Sequence, residues 1–229
     1  MEDCLVVIGT NSCEEEIKQQ LSGMNVAEDR IFIPDKLWWL GKYPQYFDQE
    51  IMKLHRNESF IDGGSLDGKD SIEFIKWCSG DYDAIYMFEP DSKNYSGLAD
   101  LGASDKRISI YEAGLWSSSK QLNFQGGNKK NCRISENGNI VINVISIDEK
   151  LNGNPVSVIK MDIEGSELEA LKGAERTIKK FKHGLAICVY HKPEDIIEIP
   201  SKILELNPDY KLYLCHYSYV DTETVLYAI

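Results

Sequence analysis

From Phe60 onward, short apolar runs alternate with stretches whose apolar residues recur every three or four positions. This pattern predicts strands over 59–62, 84–88 and 107–111, with helices over 69–79 and 91–101 between them. Strand and helix alternating in this way build a parallel sheet covered by helices, so the chain is expected to be α/β. Two further buried strands are expected at Val156–Met161 and Leu185–Tyr190. Between them, a capping box of Ser166 and Glu169 should open a helix with Leu168, Leu171 and Ile178 on its apolar face. A second capping box, Ser146 with Glu149, marks a short helix that Asp148 would help to solvate. The helix over about 195–206 should bury Ile196, Ile199 and Ile203, and Pro200 should kink or divide it. Lys211–Tyr217 and Thr224–Ile229 read as a terminal hairpin with one strand antiparallel to the rest.

The rhythm breaks in two places. Residues 113–145 are polar and glycine-rich, and Asn137-Gly138 lies between apolar runs 132–135 and 140–145 like a hairpin loop. The stretch is expected to be an insertion with hairpin character, placed as a lid or binding loop. Residues 1–45 suggest a small β-α-β extension with strands at Leu5–Ile8 and Arg30–Ile33 and a helix at Glu14–Leu21. Its Gly9-Thr10-Asn11 turn is a weak candidate for touching a phosphate. Residues 46–229 form the main domain. Just before its first strand come Trp38, Trp39, Tyr43, Tyr46 and Phe47, followed by a helix pattern of Phe47, Ile51 and Leu54. That aromatic group either braces the sheet or covers a ligand.

Composition narrows the function. The 229 residues carry a formal net charge of −12, from 37 acidic and 25 basic side chains. A nucleic-acid backbone needs a basic face, so no nucleic-acid partner is expected. Cys4, Cys13, Cys78, Cys132, Cys188 and Cys215 are scattered without a Cys-x-x-Cys pair, which suits reduced thiols rather than disulfides or a zinc site. No apolar run reaches membrane-spanning length and no signal peptide is evident, so no membrane association and a cytoplasmic location are expected. Nothing in the sequence predicts the oligomeric state.

The chemistry should collect at the carboxyl ends of the strands. The stretch Ser59-Phe-Ile-Asp-Gly-Gly-Ser-Leu-Asp-Gly68 joins a strand to a helix through glycines that permit positive φ and a close ligand approach. Asp62 at its tip would repel a pyrophosphate but suits the ammonium of S-adenosylmethionine (SAM). The spacing also lacks Gly-x-Gly-x-x-Gly, which disfavours a dinucleotide oxidoreductase. Glu89 lies about twenty residues beyond Gly68, where a ribose-binding acid is expected. Asp91 reads as a helix N-cap. Further along, Asp162, Glu164 and His191 fall at strand ends as candidates to meet an acceptor. Asp162 or His191 would take a proton from a hydroxyl. Alternatively, Asp162, Glu164 and His191 would hold a divalent cation, although no ligand spacing is diagnostic. No metal is included in the favoured reading.

Three segments together resemble the FkbM-type SAM-dependent methyltransferases. They are Phe60–Gly68, Phe88-Glu-Pro-Asp91, and Val158-Ile-Lys-Met-Asp-Ile-Glu-Gly-Ser-Glu167 followed by Ala170-Leu-Lys-Gly-Ala174. The closing Glu223-Thr-Val-Leu-Tyr227 also fits, and the resemblance spans about 46–229. It implies a Rossmann-like class I methyltransferase fold with a mostly parallel seven-stranded sheet and a C-terminal antiparallel strand. It also implies SAM as cofactor and O-methylation, often of sugar hydroxyls. By this resemblance Asp62, Gly63, Gly64, Ser65 and Gly68 fall on the cofactor loop, Glu89 and Pro90 at the ribose position, and Ala113 and Gly114 beside them. Asp162 and Glu164 fall on the acidic motif near the transferred methyl. Many members close the next strand with Glu-His where this chain has Tyr190-His191. The expected function is methyl transfer from SAM to a hydroxyl of a carbohydrate or similar small-molecule or glycan acceptor. The rival is a non-catalytic module that binds SAM or a nucleoside for a partner enzyme.

Overall fold

The protein is seen as a computed structural model that describes residues 6–7, 14–24, 26–32, 45–126, 133–135, 137–182, 184–218 and 220–229. Trp38, Trp39, Tyr43, the Gly9-Thr10-Asn11 turn, Cys4, Cys13 and Cys132 lie outside the described residues. The N-terminal elements are β1 (Val6–Val7), α1 (Glu14–Gly23) and β2 (Ile31–Phe32), with the two short strands paired in parallel.

The main sheet begins with β3 (Glu58–Gly63), α2 (Lys69–Trp77), β4 (Tyr82–Phe88), α3 (Ser92–Ser104) and β5 (Ile108–Tyr111). A second, four-stranded sheet follows: β6 (Gly114–Leu115), β7 (Lys120–Gln125), β8 (Arg133–Ile134) and β9 (Ile140–Ile145). The chain then returns through α4 (Ile147–Leu151), β10 (Val158–Met161), α5 (Glu167–Lys172), α6 (Glu175–Phe181) and β11 (Gly184–Cys188). It closes with α7 (Asp195–Leu206), β12 (Leu212–His216) and β13 (Thr224–Ala228). The seven-stranded order is β12-β13-β11-β10-β3-β4-β5, and β13 runs antiparallel to both its neighbours.

Every residue of β3 and β10 is buried, as a parallel sheet covered on both faces requires. Ile61, Ile159, Met161 and Leu185 pack with Leu171, Ile178, Ile199 and Ile203 of the helices on one face. On the other, Phe60 stacks on Phe74 with ring centroids 4.6 Å apart, and Phe47 meets Phe60 edge-on at 5.5 Å. Phe47 is therefore a brace against the sheet. From β3 the chain winds first toward β4 and β5, then crosses to β10 on the other side. That reversal opens a crevice where the C-terminal ends of β3 and β10 lie side by side.

Several local expectations are corrected. Residues 47–54 make a single turn instead of a helix, tied by Ile51 and Met52 N–H to the Asp48 carbonyl, and Leu54 is exposed. The helix with Pro200 inside remains one element, and Ile196 is exposed while Ile199, Ile203 and Leu206 are buried. The predicted helix from Ser166 is two helices, α5 and α6. It breaks at Gly173 because the Gly173 carbonyl accepts from Asp148 N–H and Ser146 Oγ, docking α4 there. Asp148 then caps α6 by accepting from Arg176 and Thr177 N–H at 2.8 Å. Ser146 caps α4 as expected, but the Ser166 side chain makes no cap bond, and Glu169 accepts from Ser117 Oγ.

The predicted hairpin is also replaced. β8 and β9 do not pair with each other; each pairs antiparallel with an opposite edge of β7, and Phe124 faces both Ile134 and Ile140. The connection must therefore pass over β7, and it does so at Gly138, where an added Cβ would lie 2.4 Å from Phe124 N. A Gly138→Ala change is expected to destabilise this sheet by about 2 kcal/mol through overpacking. Hydrogen exchange would read faster exchange of amides 120–125 and 140–145, with the main sheet unaffected.

Candidate functional site

The glycine turn is built against the crevice by backbone contact. Gly64 has φ +77° and Gly68 φ +76°, the left-handed region that favours glycine. Gly64 and Ser65 N–H donate to the Phe88 carbonyl, and Asp162 N–H donates to the Gly63 carbonyl. A Cβ on Gly64 would stand 1.9 Å from the Asp162 carbonyl oxygen, so the turn and the acidic segment touch through bare backbone.

Beside this turn lies a cleft that opens to solvent. Of the predicted residues, Gly64, Glu89, Pro90, Gly114, Asp162 and Glu164 line it. Phe124, Ile134 and Ile142 from the small sheet supply an apolar wall. None of the described lining residues is a lysine or arginine. Gly63, Ser65, Gly68, Ala113, His191 and Asp62 do not line the cleft. Ser65 Oγ donates to the Asp62 carbonyl, and Gly68 precedes α2 as its N-cap residue.

Glu89 is buried and clamps the turn: Oε2 accepts from Leu66 N–H at 2.9 Å and Oε1 from Asp91 N–H at 2.8 Å. Burial pushes its carboxyl up, against the opposing pull of these N–H groups. Oε1 also accepts from Asn94 Nδ2 at 3.5 Å, whereas Oε2 keeps a further lone pair for a ligand hydroxyl. Asp91 caps α3 as its sequence position suggests.

Asp62 departs from expectation. Its side chain is fully buried, accepts from Ser71 Oγ at 2.7 Å and pairs with Lys160 Nζ at 3.1 Å. Strand side chains alternate faces, and Asp62 sits opposite Lys160 in register, so both turn to the face that carries Phe60 and Phe74. Lys160 also reaches Asp70 Oδ2 at 2.8 Å and donates to the Gly64 carbonyl at 3.0 Å. Burial works against its charge, but Asp62, Asp70 and Asp162 outweigh it and hold the ammonium above the ordinary lysine value. The carboxylate read as a ligand for a cation already holds one belonging to the chain.

Asp162 is the hub of the acidic end. Tyr46 OH donates to Oδ2 at 3.1 Å, Tyr190 OH donates to Oδ1 at 3.2 Å, and His191 Nε2 lies 3.3 Å from Oδ1. Burial raises its pKa, yet His191 and Lys160 win and hold the carboxyl below the usual carboxylate range. Glu164, in the left-handed region at φ +55°, turns its half-exposed side chain into the cleft, with Oε2 3.8 Å from His191 Nε2. His191 Nδ1 lies 2.9 Å from Oε1 of the fully buried Glu167. Burial disfavours the imidazolium, but the Asp162 and Glu167 carboxylates prevail and push the ring up to about 10. Both ring nitrogens face carboxylates, so His191 stands behind Asp162 as a charged support rather than as a vacant base. Sequence reasoning gave no role to Glu167, Lys160 or Tyr190. A lysine inside the apolar run Val158–Met161 was the one legible signal, since a buried charge demands a partner.

The family profile described as "Methyltransferase FkbM domain" matches residues 62–220. Among solved structures, the FkbM methyltransferase of Methylobacillus flagellatus KT superposes with a TM-score of 0.69 at 29% identity over 81% of this chain. The match covers 47% of that protein, so the chain spans about half its length. The precorrin-6y C5,15-methyltransferase of Geobacter metallireducens GS-15 shares the fold, with a TM-score of 0.50 at 10% identity over 77% of this chain and 82% of that one. No curated protein matches. Among the described residues, no helix is long and apolar enough to cross a membrane. With the glycine turn, the Glu89 clamp and the acidic segment all inside the matched region, the chain belongs to the FkbM methyltransferase family.

Proposed function

We propose that the cleft binds SAM and that the protein transfers its methyl group to a hydroxyl of a neutral, polyhydroxylated acceptor such as a carbohydrate. The observation that carries this reading is the lining itself. Three carboxylates, Glu89, Asp162 and Glu164, share the cleft with an apolar wall, and no basic side chain joins them among the described residues. Such a site favours a cation with a flat apolar body and disfavours a phosphate. SAM fits: Glu89 is placed for ribose hydroxyls, Gly64 allows close backbone approach, and Asp162 with Glu164 faces positive charge. When bound, SAM supplies the activated methyl group.

The chain's own residues would do the rest. Asp162, held by two tyrosines and His191, keeps a fixed negative charge at the cleft. Glu164, the most accessible of the three acidic-end groups, takes the proton of the acceptor hydroxyl. His191 positions Asp162. Holding the acceptor in line supplies much of the acceleration.

Calorimetric titration tests the cofactor assignment. SAM and its demethylated product should bind, and NAD should not. Glu89→Gln should weaken SAM binding about tenfold, the scale of one hydrogen bond to a charged group. Equal binding of NAD, or an unchanged affinity in Glu89→Gln, would refute the reading. SAM binding without methyl incorporation into any glycan or polyol extract would favour the non-catalytic module instead.

A further inference from the structure

Behind the cleft, two buried polar atoms of one cluster are left incomplete. Glu167 is fully buried and its Oε2 has no hydrogen-bond partner among the described residues. The buried Nδ1 of His191 forms no hydrogen bond among the described residues either, and its 2.9 Å approach to Glu167 Oε1 is an ion-pair contact. Leaving such atoms without a partner is costly, and a bound ion is one arrangement that relieves the cost. Asp162 completes the cluster. One ligating atom from each of Asp162, Glu167 and His191 lies within 4.8 Å of the other two.

We propose that Asp162, Glu167 and His191 bind one divalent first-row metal ion behind the cleft wall at Asp162, the ion displacing the His191 imidazolium proton to solvent. Metal bonds of about 2.1 Å place neighbouring ligand atoms about 3–4 Å apart, so modest side-chain rotations close the set. Two carboxylates with an imidazole suit Mn²⁺ or Zn²⁺ better than Ca²⁺, which prefers all-oxygen cages. Lys160, whose charge acts on Asp162, is committed to Asp62 and Asp70, and Lys192 Nζ donates to the Gly165 carbonyl.

Supports for the ligands are already in place. Tyr46 and Tyr190 hydroxyls donate to Asp162, and Ile163 N–H donates to Glu167 Oε1, the kind of outer contact that orients metal ligands. The ligands come from the ends of β10 and β11 and the first residue of α5, elements locked in the core. The sequence alternative of Asp162, Glu164 and His191 is thereby altered: Glu167 replaces Glu164, whose side chain reaches into the cleft. Asp162 lines the cleft, so an ion held by it would border the space an acceptor enters and would lower the pKa of a hydroxyl that coordinates it. That acceptor role rests on the methyl-transfer reading; the metal site does not.

The test uses the full chain stripped with a chelator and then titrated with MnCl₂, followed by electron paramagnetic resonance of free Mn²⁺, and with ZnCl₂ by calorimetry. One saturable site per chain is expected. Glu167→Gln and His191→Gln should each weaken it at least about tenfold, while SAM affinity of the metal-free Glu167→Gln protein stays near wild type. No saturable site in the wild type for either metal, or wild-type metal affinity in both variants, overturns the proposal. If Glu167→Gln fails to fold, the wild-type stoichiometry and His191→Gln decide it. Metal binding without SAM binding leaves this site standing and removes the cofactor assignment.

Discussion

Replacing Gly64 with alanine is expected to abolish SAM binding and to lower the melting temperature by roughly 10 °C. Two effects add. The residue sits at φ +77°, which costs a side-chain-bearing residue about 1–2 kcal/mol. The new methyl would also stand 1.9 Å from the Asp162 carbonyl, a backbone atom that no rotamer change can move. Relief requires prising the ends of β3 and β10 apart, which overpacking data put at about 1–3 kcal/mol. Gly80 provides the control. It has the same φ of +77°, yet nothing lies within 4 Å of the position its added methyl would take, so Gly80→Ala carries the conformational cost alone. Calorimetric melting of both variants separates the terms. Should Gly64→Ala melt no lower than Gly80→Ala, the backbone contact between the turn and the acidic segment would not be what shapes the cleft.

A Lys160→Met protein should lose about 3–5 kcal/mol of stability, the usual consequence of removing one partner from a buried ion pair. Methionine fills similar volume, so the loss reports charge rather than packing. Asp62, fully buried, is left with Ser71 Oγ and no countercharge, whereas Asp70 is partly exposed and can turn toward water. The Gly64 carbonyl also loses its donor, so the turn should loosen and SAM affinity fall with stability. Adding Asp62→Asn to Lys160→Met should recover much of the lost stability, because the buried charge goes with its partner. Denaturant melts of the two singles and the double close a mutant cycle. A double variant no more stable than Lys160→Met would show that Asp62 and Lys160 do not depend on each other, and Asp62 would return as a candidate ligand.

These two positions show how far the linear pattern reaches. An acid directly after an apolar run marks a strand tip, and Glu89, Asp162 and Glu164 were legible as cleft residues for that reason. Asp62 carries the same mark but faces the other way. Which face a strand-end side chain takes follows from register, and Asp62 stands opposite Lys160 only once β3 and β10 pair. Glu167 lies between Ser166 and Glu169, the pair expected to form a capping box, and reads as part of a helix start. Its meeting with His191 joins α5 to the end of β11, a contact that no local period encodes. The hairpin failed for a related reason. Two apolar runs around Asn137-Gly138 are adjacent in sequence, but the better partner for both is β7, and only the sheet order shows it.

Alternation of short apolar runs with amphipathic helices determined the α/β class, the strand positions of the main sheet and the glycine turn, because burial period and backbone freedom are local properties of the residues. Pairing across the sheet decided the rest. It set which acids face the cleft and which carry Lys160 inside the sheet, and it brought Glu167 to His191, since those outcomes depend on distant segments sharing one register and one dielectric environment.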